Sequence, residues 1–248
     1  MKKKISAFLY KIILFLIWVF YPETELVGAR NLPNEECIIV ANHAQMNGPI
    51  CCELYSARKR YTWCAGEMMH LKEVPGYAFK DFWSQKPKYT HFFYKILSFA
   101  IAPLSVCLFN NAKTIAVYKD KRIMTTFKDT LKKLSLGADI VIFPEYDEKH
   151  NNILYKFQEG FVDVARLYHK KFGKEISFVP MYIAPSLRKM YMGKPVKFNS
   201  EAEISEERKR ICTFLMEEIT DIARSLPKHT VVPYRNIPKK DYPSNKEI

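Results

Sequence analysis

Short apolar runs that stop abruptly at polar residues alternate with helical patterns, and this alternation most constrains the fold of the chain. Residues 37–41 form one such run before Asn42-His43, and residues 139–143 form another shortly before Glu145. Apolar runs of this length between turn signals are typical of strands covered on both faces. We therefore predict an α/β fold, a single domain whose mostly parallel sheet is flanked by helices.

The same patterns place the remaining elements. Pro180 indicates a strand end or a bulge, and Ser200 with Glu203 fits a capping box before the last helix. Residues 92–108 are apolar almost throughout, and either a core helix or a membrane-contacting surface fits them. The other predicted strands are 61–65, 114–118, 176–184 and 189–198, and the predicted helices are 49–59, 123–134, 157–172 and 204–226.

The chain is strongly basic. Its 39 Lys and Arg residues against 26 Asp and Glu residues give a formal net charge of +13, which favours an anionic partner. The basic residues are spread along the chain without an Arg-rich arm or a DNA-reading motif, so we expect no nucleic-acid partner. The anionic partner is therefore either an acidic membrane surface or a phosphorylated substrate.

Residues 1–22 favour the membrane. Lys2, Lys3 and Lys4 precede a run of apolar and aromatic residues that only Ser6 and Lys11 interrupt. No small-residue cleavage site follows, which argues against a secretory signal, and the run is marginal for a span of about 20 residues. We predict an N-terminal membrane-associated helix at the cytoplasmic face of the cell membrane, bound to anionic lipids. A buried helix of the soluble domain is the alternative.

Three parts of the chain follow from this pattern: a membrane anchor over 1–22, an α/β domain over 23–226 and a loose, basic, Pro-containing tail over 227–248. The six cysteines lie mostly inside apolar runs without a CxxC pair. They predict buried thiols in a reducing compartment and neither a disulfide framework nor a metal site.

Polar residues follow three predicted strands: Asn42-His43, the stretch from Lys119 to Arg122, and Glu145. Because the carboxyl ends of parallel strands share one edge of a sheet, we expect these groups to line one cleft. A histidine base, cations and a carboxylate suit the transfer of a group to a hydroxyl of a phosphorylated acceptor. The GxSxG, P-loop and GxGxxG motifs are absent, and the histidines lack ligand-spaced partners, so no metal is expected.

The order of these motifs resembles the glycerolipid acyltransferase family, of which bacterial 1-acyl-glycerol-3-phosphate acyltransferase is the best-known type. The resemblance covers about residues 25 to 200. Its motifs are Asn42-His43, Val117-Tyr118-Lys119-Asp120, Phe143-Pro144-Glu145 and Val179-Pro180.

The resemblance implies that His43 is the general base, which takes the proton from the acceptor hydroxyl. The alkoxide then attacks the thioester of acyl-CoA or an acyl-carrier protein, and the acceptor is of lysophospholipid type, with no further cofactor. Lys119 matches the arginine that binds the acceptor phosphate, Glu145 matches an acceptor-binding glutamate, and Gly160 matches the glycine of a Phe-Lys-x-Gly element. Together with Asn42 and Arg122, these are the candidate substrate-binding residues.

One position departs from the family pattern. The family places an aspartate five residues after its histidine, where this chain has Gly48, and Asn47 stands one residue earlier. We take Asn47 as the candidate partner of His43, with Asp147 and Glu148 as other sources of a carboxylate. An amide can orient the imidazole but cannot stabilise the imidazolium, and the same exchange in a serine protease costs about 10⁴ in kcat.

Two other functions therefore stay open. One is a catalytically impaired family member that binds lipid or acyl thioester at the membrane without efficient turnover. The other is a nucleic-acid-binding or unrelated membrane protein, against which the motif order argues. If the missing aspartate limits the rate, the substitution Gly48→Asp is expected to raise activity.

Overall fold

The computed structural model describes residues 2–247, so the first residue of the predicted anchor and the last of the predicted tail lie outside it. The α-helices of this part are α1 Lys2–Phe20, α2 Asn47–Tyr55, α3 Val74–Ala78, α4 His91–Asn111, α5 Ile123–Leu134, α6 Asp163–Phe172 and α7 Ile204–Ser225. The strands are β1 Glu25–Val27, β2 Ile38–Ala41, β3 Arg60–Ala65, β4 Thr114–Val117, β5 Asp139–Ile142, β6 Glu145–Lys149, β7 Tyr155–Phe157, β8 Ser177–Ala184, β9 Lys189–Met192 and β10 Val196–Lys197.

The chain packs as two compact units. Met1–Pro22 and Thr62–Thr126 form one, called here the helical unit, and Glu23–Tyr61 and Phe127–Ile248 form the other, called the sheet unit. The chain passes from one unit to the other three times: after Pro22, within β3 and within α5.

The sheet unit contains the mostly parallel sheet that the sequence predicts, with the strand order β1-β9-β8-β2-β5. Strand β2 is parallel to both β5 and β8, and β1 is parallel to β9, whereas β8 is antiparallel to β9 and β10. Every residue of β2 and β5 is buried, which explains why both strands are apolar except for Asp139 at the start of β5. Helix α7 packs against β8 and buries one apolar face, on which Ile211, Leu215 and Ile219 are fully covered.

Pro180 lies inside β8, not at its end. Before it, Phe178 pairs with Val196 of β10; after it, Met181 pairs with Met192 of β9. The missing N–H of the proline therefore falls where the antiparallel partner changes, and its carbonyl accepts a hydrogen bond from the backbone N–H of Gly193 at 2.8 Å.

Two local expectations from the sequence are wrong. The stretch after Glu145, for which the sequence predicts no strand, forms the antiparallel pair β6–β7, and α6 consequently begins at Asp163 instead of residue 157. The capping box does not form either: Glu203 is the N-cap of α7 without a side-chain bond, and the Ser200 hydroxyl donates to Glu175. Five of the six cysteines are buried, as predicted for core thiols.

The helical unit pairs β3 and β4 in parallel and packs α3 against α4 around Met68, Val74, Ala78 and Ala102. Helix α1 lies against α4, where the Asn111 amide donates to the Ser6 hydroxyl at 2.8 Å.

Both long helices of this unit expose large apolar side chains, and we call this set the apolar face. Its members are Ile5, Phe8, Leu9, Ile12, Phe15, Leu16, Trp18, Val19 and Phe20 on α1 and Phe92, Phe93, Ile96, Phe99 and Leu104 on α4. Within the described chain, one helical stretch is long and apolar enough to cross a membrane, Lys88–Asn111, and core helices of soluble proteins also meet that criterion.

Candidate active site

Strand β2 delivers His43 to the carboxyl edge of the sheet through Asn42. The Asn42 side chain is buried, donates from its amide nitrogen to the Ile183 carbonyl at 3.0 Å, and accepts from the Ile183 N–H at 2.7 Å. These two bonds continue the β2–β8 ladder by one side chain. Asn42 thus orients the next residue, and the substrate contact expected from the sequence stays a prediction.

A tight turn follows, built from residues in the left-handed region. Ala44 has φ 46° and Gln45 has φ 55°, and such conformations cost roughly 1–3 kcal/mol each for residues other than glycine. The turn is closed by backbone bonds: the Gly48 N–H donates to the His43 carbonyl at 3.1 Å, and the Asn47 N–H donates to the Ala44 carbonyl at 3.1 Å. Strain of this kind persists where the surroundings fix the chain.

The turn brings the Gln45 carbonyl onto the imidazole. His43 Nδ1 lies 2.6 Å from the Gln45 oxygen. A carbonyl only accepts hydrogen bonds, so Nδ1 carries the proton and Nε2 keeps its lone pair. Burial lowers the pKa of His43 below its usual value, which keeps the ring neutral near pH 7. The imidazole is thus held in the tautomer that a general base needs.

Aromatic rings flank the imidazole on two sides. The ring of Phe143 has its centroid 5.1 Å from that of His43, and the ring of Tyr234 lies 5.8 Å away in an edge-on arrangement. Tyr155 packs against Tyr234 in turn, at 5.7 Å. These rings account for the desolvation that lowers the pKa of the histidine.

The Gln45 carbonyl takes the place that the sequence analysis gave to Asn47. The Asn47 amide nitrogen donates to the Ala44 carbonyl at 3.0 Å, so this side chain braces the turn. Gly48, at the position of the family's aspartate, has no room for a side chain. A Cβ there would lie 2.4 Å from the His43 carbonyl oxygen and 2.8 Å from the Phe143 ring. The substitution Gly48→Asp would displace the His43 backbone, and the expected gain in activity is withdrawn.

Glu145 reaches the same turn from the end of β5, as the shared sheet edge predicts. Its side chain is buried; one oxygen accepts the His43 backbone N–H at 2.6 Å and the other accepts the Tyr155 N–H at 2.9 Å. Burial raises the pKa of Glu145 to about 7, although the two N–H donors oppose the shift. Glu145 therefore fixes the backbone of His43, and the acceptor contact that the resemblance implies for it stays a prediction.

The other acidic candidates are held elsewhere. Asp147 pairs with Arg235 at 3.3 Å, and Glu148 pairs with Lys156 and accepts from the Tyr146 hydroxyl. Gly160 is exposed on the turn before α6, and a Cβ there would meet open space. Nothing steric requires a glycine at that position.

Lys119 and Arg122 belong to the helical unit. Lys119 is exposed. The Arg122 guanidinium stacks over the Tyr118 ring at 3.9 Å and binds the carboxylates of Asp120 at 2.8 Å and Glu73 at 3.2 Å. An acceptor phosphate at Arg122 would compete with these two carboxylates, which weakens its candidacy for that role.

The C-terminal segment, residues 227–247, contributes to the site, although the sequence predicts a loose tail there. Tyr234 contacts the His43 ring, and the Gln45 side chain donates to the Tyr242 hydroxyl at 3.0 Å and to the Arg235 carbonyl at 3.2 Å. Tyrosines among the prolines and lysines of this segment were the available signal, because flexible linkers are poor in aromatic residues.

Across residues 2–247, no group of three or more His, Cys, Asp or Glu side chains is placed to hold a metal ion. What the arrangement offers is a neutral, desolvated imidazole with a fixed tautomer at the carboxyl edge of a parallel sheet. Such a group can remove a proton from a bound hydroxyl.

The chain matches no protein-family model and no curated protein. Among solved structures, the crystal structure of the 1-acyl-sn-glycerophosphate (LPA) acyltransferase PlsC from Thermotoga maritima is similar over 88% of this chain and 83% of its own. The sequence identity is 14% and the TM-score is 0.45. An identity and a TM-score this low do not establish a shared fold or activity.

Proposed function

We propose that this chain is a membrane-associated acyltransferase of the glycerolipid acyltransferase family. It moves a fatty acyl group from an acyl thioester, acyl-CoA or acyl-carrier protein, to a hydroxyl of a lysophospholipid-type acceptor. The observation that carries the proposal is the hydrogen bond between His43 Nδ1 and the Gln45 carbonyl, at 2.6 Å. It leaves Nε2 unprotonated on a ring that burial keeps neutral.

The reaction uses Nε2 twice. The lone pair of Nε2 takes the proton of the acceptor hydroxyl while the oxygen attacks the thioester carbonyl. The tetrahedral intermediate then expels the thiolate, which takes the proton back from Nε2. The products are the acylated acceptor and a free thiol, and the histidine returns to its starting state.

The apolar face supports placement at a membrane. On α1 the exposed residues Ile5, Phe8, Ile12, Phe15 and Val19 recur every three or four positions and so form one stripe. Lys4 and Lys11 are exposed on the same helix, and the chain carries a net charge of +13. Apolar side chains with flanking lysines suit the interface of a bilayer rich in anionic lipid, and we place it on the cytoplasmic leaflet.

One observation favours a second candidate, a family member that binds lipid or acyl thioester with poor turnover. The partner of His43 Nδ1 is a neutral carbonyl, which enforces the tautomer but stabilises the imidazolium less than a carboxylate does. The same experiment separates the two candidates.

The test measures thiol release from an acyl thioester by the full chain in lipid vesicles, with lysophosphatidate, a lysophospholipid or an amino-acid lipid as acceptor. We expect acceptor-dependent release, and the near-isosteric variant His43→Gln should lower it about 10³-fold because it lacks the base. His150→Gln, at an exposed loop position, is the matched control. If the chain binds the thioester but releases no thiol, the second candidate is correct. If His43→Gln still releases thiol at the unaltered rate, His43 is not the general base.

A further inference from the structure

We infer that Gln45 and Tyr242 form a positioning pair through which the C-terminal segment sets the tautomer and orientation of His43. The inference deepens the proposed function, because it assigns the job of the missing aspartate to a backbone carbonyl held by a distant part of the chain. Neither residue touches the reacting atoms, so both are positioning residues.

The Gln45 backbone supplies the acceptor for the imidazole. Its carbonyl is the partner of His43 Nδ1, and its φ of 55° lies in the left-handed region that residues other than glycine rarely adopt. A relaxed backbone at Gln45 would turn this carbonyl away from the imidazole. Nδ1 would then have lost the acceptor that keeps its proton there, and the proton could move to Nε2.

The Gln45 side chain is anchored at its far end. Its amide nitrogen lies 3.0 Å from the Tyr242 hydroxyl and 3.2 Å from the Arg235 carbonyl, and its amide oxygen lies 3.2 Å from the same hydroxyl. The amide nitrogen and the amide oxygen are therefore both hydrogen-bonded to residues of the C-terminal segment. A side chain fixed at both ends restricts the backbone that carries it.

The segment is rigid enough to serve as an anchor. The Val231 N–H donates to the Pro243 carbonyl at 2.9 Å, and the His229 N–H donates to the Asn245 side chain at 2.8 Å. Val231 and Asn245 are fully buried. These contacts join the two ends of the loop 232–242, so the loop presents Tyr242 from a fixed base.

The test compares Tyr242→Phe, Gln45→Leu and the double variant with the unaltered chain. Tyr242→Phe removes one hydroxyl and keeps the ring. We expect kcat for thiol release to fall about tenfold for each single variant with KM unchanged. The double variant should be no slower than Gln45→Leu, because both substitutions break the same path. Tyr191→Phe, on β9, makes none of the described contacts of the turn and is the matched control.

A second readout does not depend on turnover. Nuclear magnetic resonance of ¹⁵N-histidine-labelled protein reports which ring nitrogen carries the proton. We expect His43 to be protonated at Nδ1 in the unaltered chain and to gain Nε2–H tautomer in Tyr242→Phe and Gln45→Leu. An unchanged tautomer in both variants, or multiplicative losses in the double variant, would overturn the positioning pair. If the chain released no thiol but the tautomer shifted, the pair would stand and the proposed function would fail.

Discussion

At the scale of single residues, the packing around the His43 turn explains why residue 48 is a glycine. Gly48 lies in the first turn of α2, with its N–H on the His43 carbonyl and the Phe143 ring beside its Cα. The turn is so close to the helix that any side chain at position 48 would collide with the His43 backbone. The chain therefore supplies the acceptor for Nδ1 from the turn itself.

The variant Gly48→Ala tests this packing. We expect it to lower the free energy of unfolding by about 2 kcal/mol, because the new Cβ meets the His43 carbonyl and the Phe143 ring at distances that force a backbone shift. Gly160→Ala is the matched control, since its Cβ meets open space, and it should leave stability within about 1 kcal/mol. Denaturant unfolding measures both, and equal stabilities would contradict the steric argument.

Glu145 gives a prediction on pH. Its pKa in the folded chain is about 7 against a usual 4.5. Between these values the folded state holds a proton that the unfolded state has released, so this carboxyl makes stability fall as pH rises, by about 3 kcal/mol in total. The variant Glu145→Gln removes the titration of this carboxyl. Because His43 has a lowered pKa, it makes stability rise with pH, but it does so in both proteins, so its contribution cancels when their unfolding free energies are subtracted.

The measurement is therefore the difference in unfolding free energy between the unaltered chain and Glu145→Gln at several pH values from 5 to 8. We expect the advantage of the unaltered chain to shrink steadily as pH rises. An advantage that grows with pH would mean that the N–H groups of His43 and Tyr155 hold the carboxylate ionised.

At the scale of elements, the predictable segments are those whose burial is uniform. Strands β2 and β5 are buried at every position and read directly from the sequence as apolar runs. The pair β6–β7 was missed because β6 is mostly exposed and carries charged residues without an apolar alternation. The first turn of α7 was misjudged because Ser200 bonds to Glu175, a long-range partner that a local motif cannot reveal.

The stripe on α1 gives a prediction for this element. Phe8→Glu and Phe15→Glu replace side chains that are 65% and 60% exposed, so they should leave the fold intact. Each should lower partitioning into vesicles containing anionic lipid about tenfold, because a large apolar group no longer enters the bilayer.

Leu136→Glu, at a 58% exposed position of the sheet unit, is the matched control for the added charge. Co-sedimentation with the vesicles measures all three variants. If vesicle binding falls equally in Leu136→Glu, the added charge alone explains the effect. If vesicle binding is unchanged in the α1 variants, α1 does not contact the membrane.

At the scale of the whole molecule, the sequence predicted the mostly parallel α/β sheet and the meeting of His43 with Glu145. It could do so because β2 and β5 are parallel neighbours whose ends lie at one edge. The roles of Asn42, Asn47 and Glu145 as braces of the backbone could not be predicted. They depend on a turn in the left-handed region and on residues far along the chain. The C-terminal segment was misread for the same reason.

The contact between Gln45 and Tyr242 spans 197 residues of sequence, and this has a consequence for the order in which the protein matures. Helix α1 precedes the C-terminal segment in the chain, so on the proposed function it can meet lipid before that segment is made. If Tyr242 positions His43 through Gln45 as proposed, the imidazole acquires its fixed geometry only after residue 242 has left the ribosome and the long loop has closed. On the proposed function, a nascent chain already on the membrane does not acylate its lipid substrates. It becomes active only when the C-terminal segment has folded.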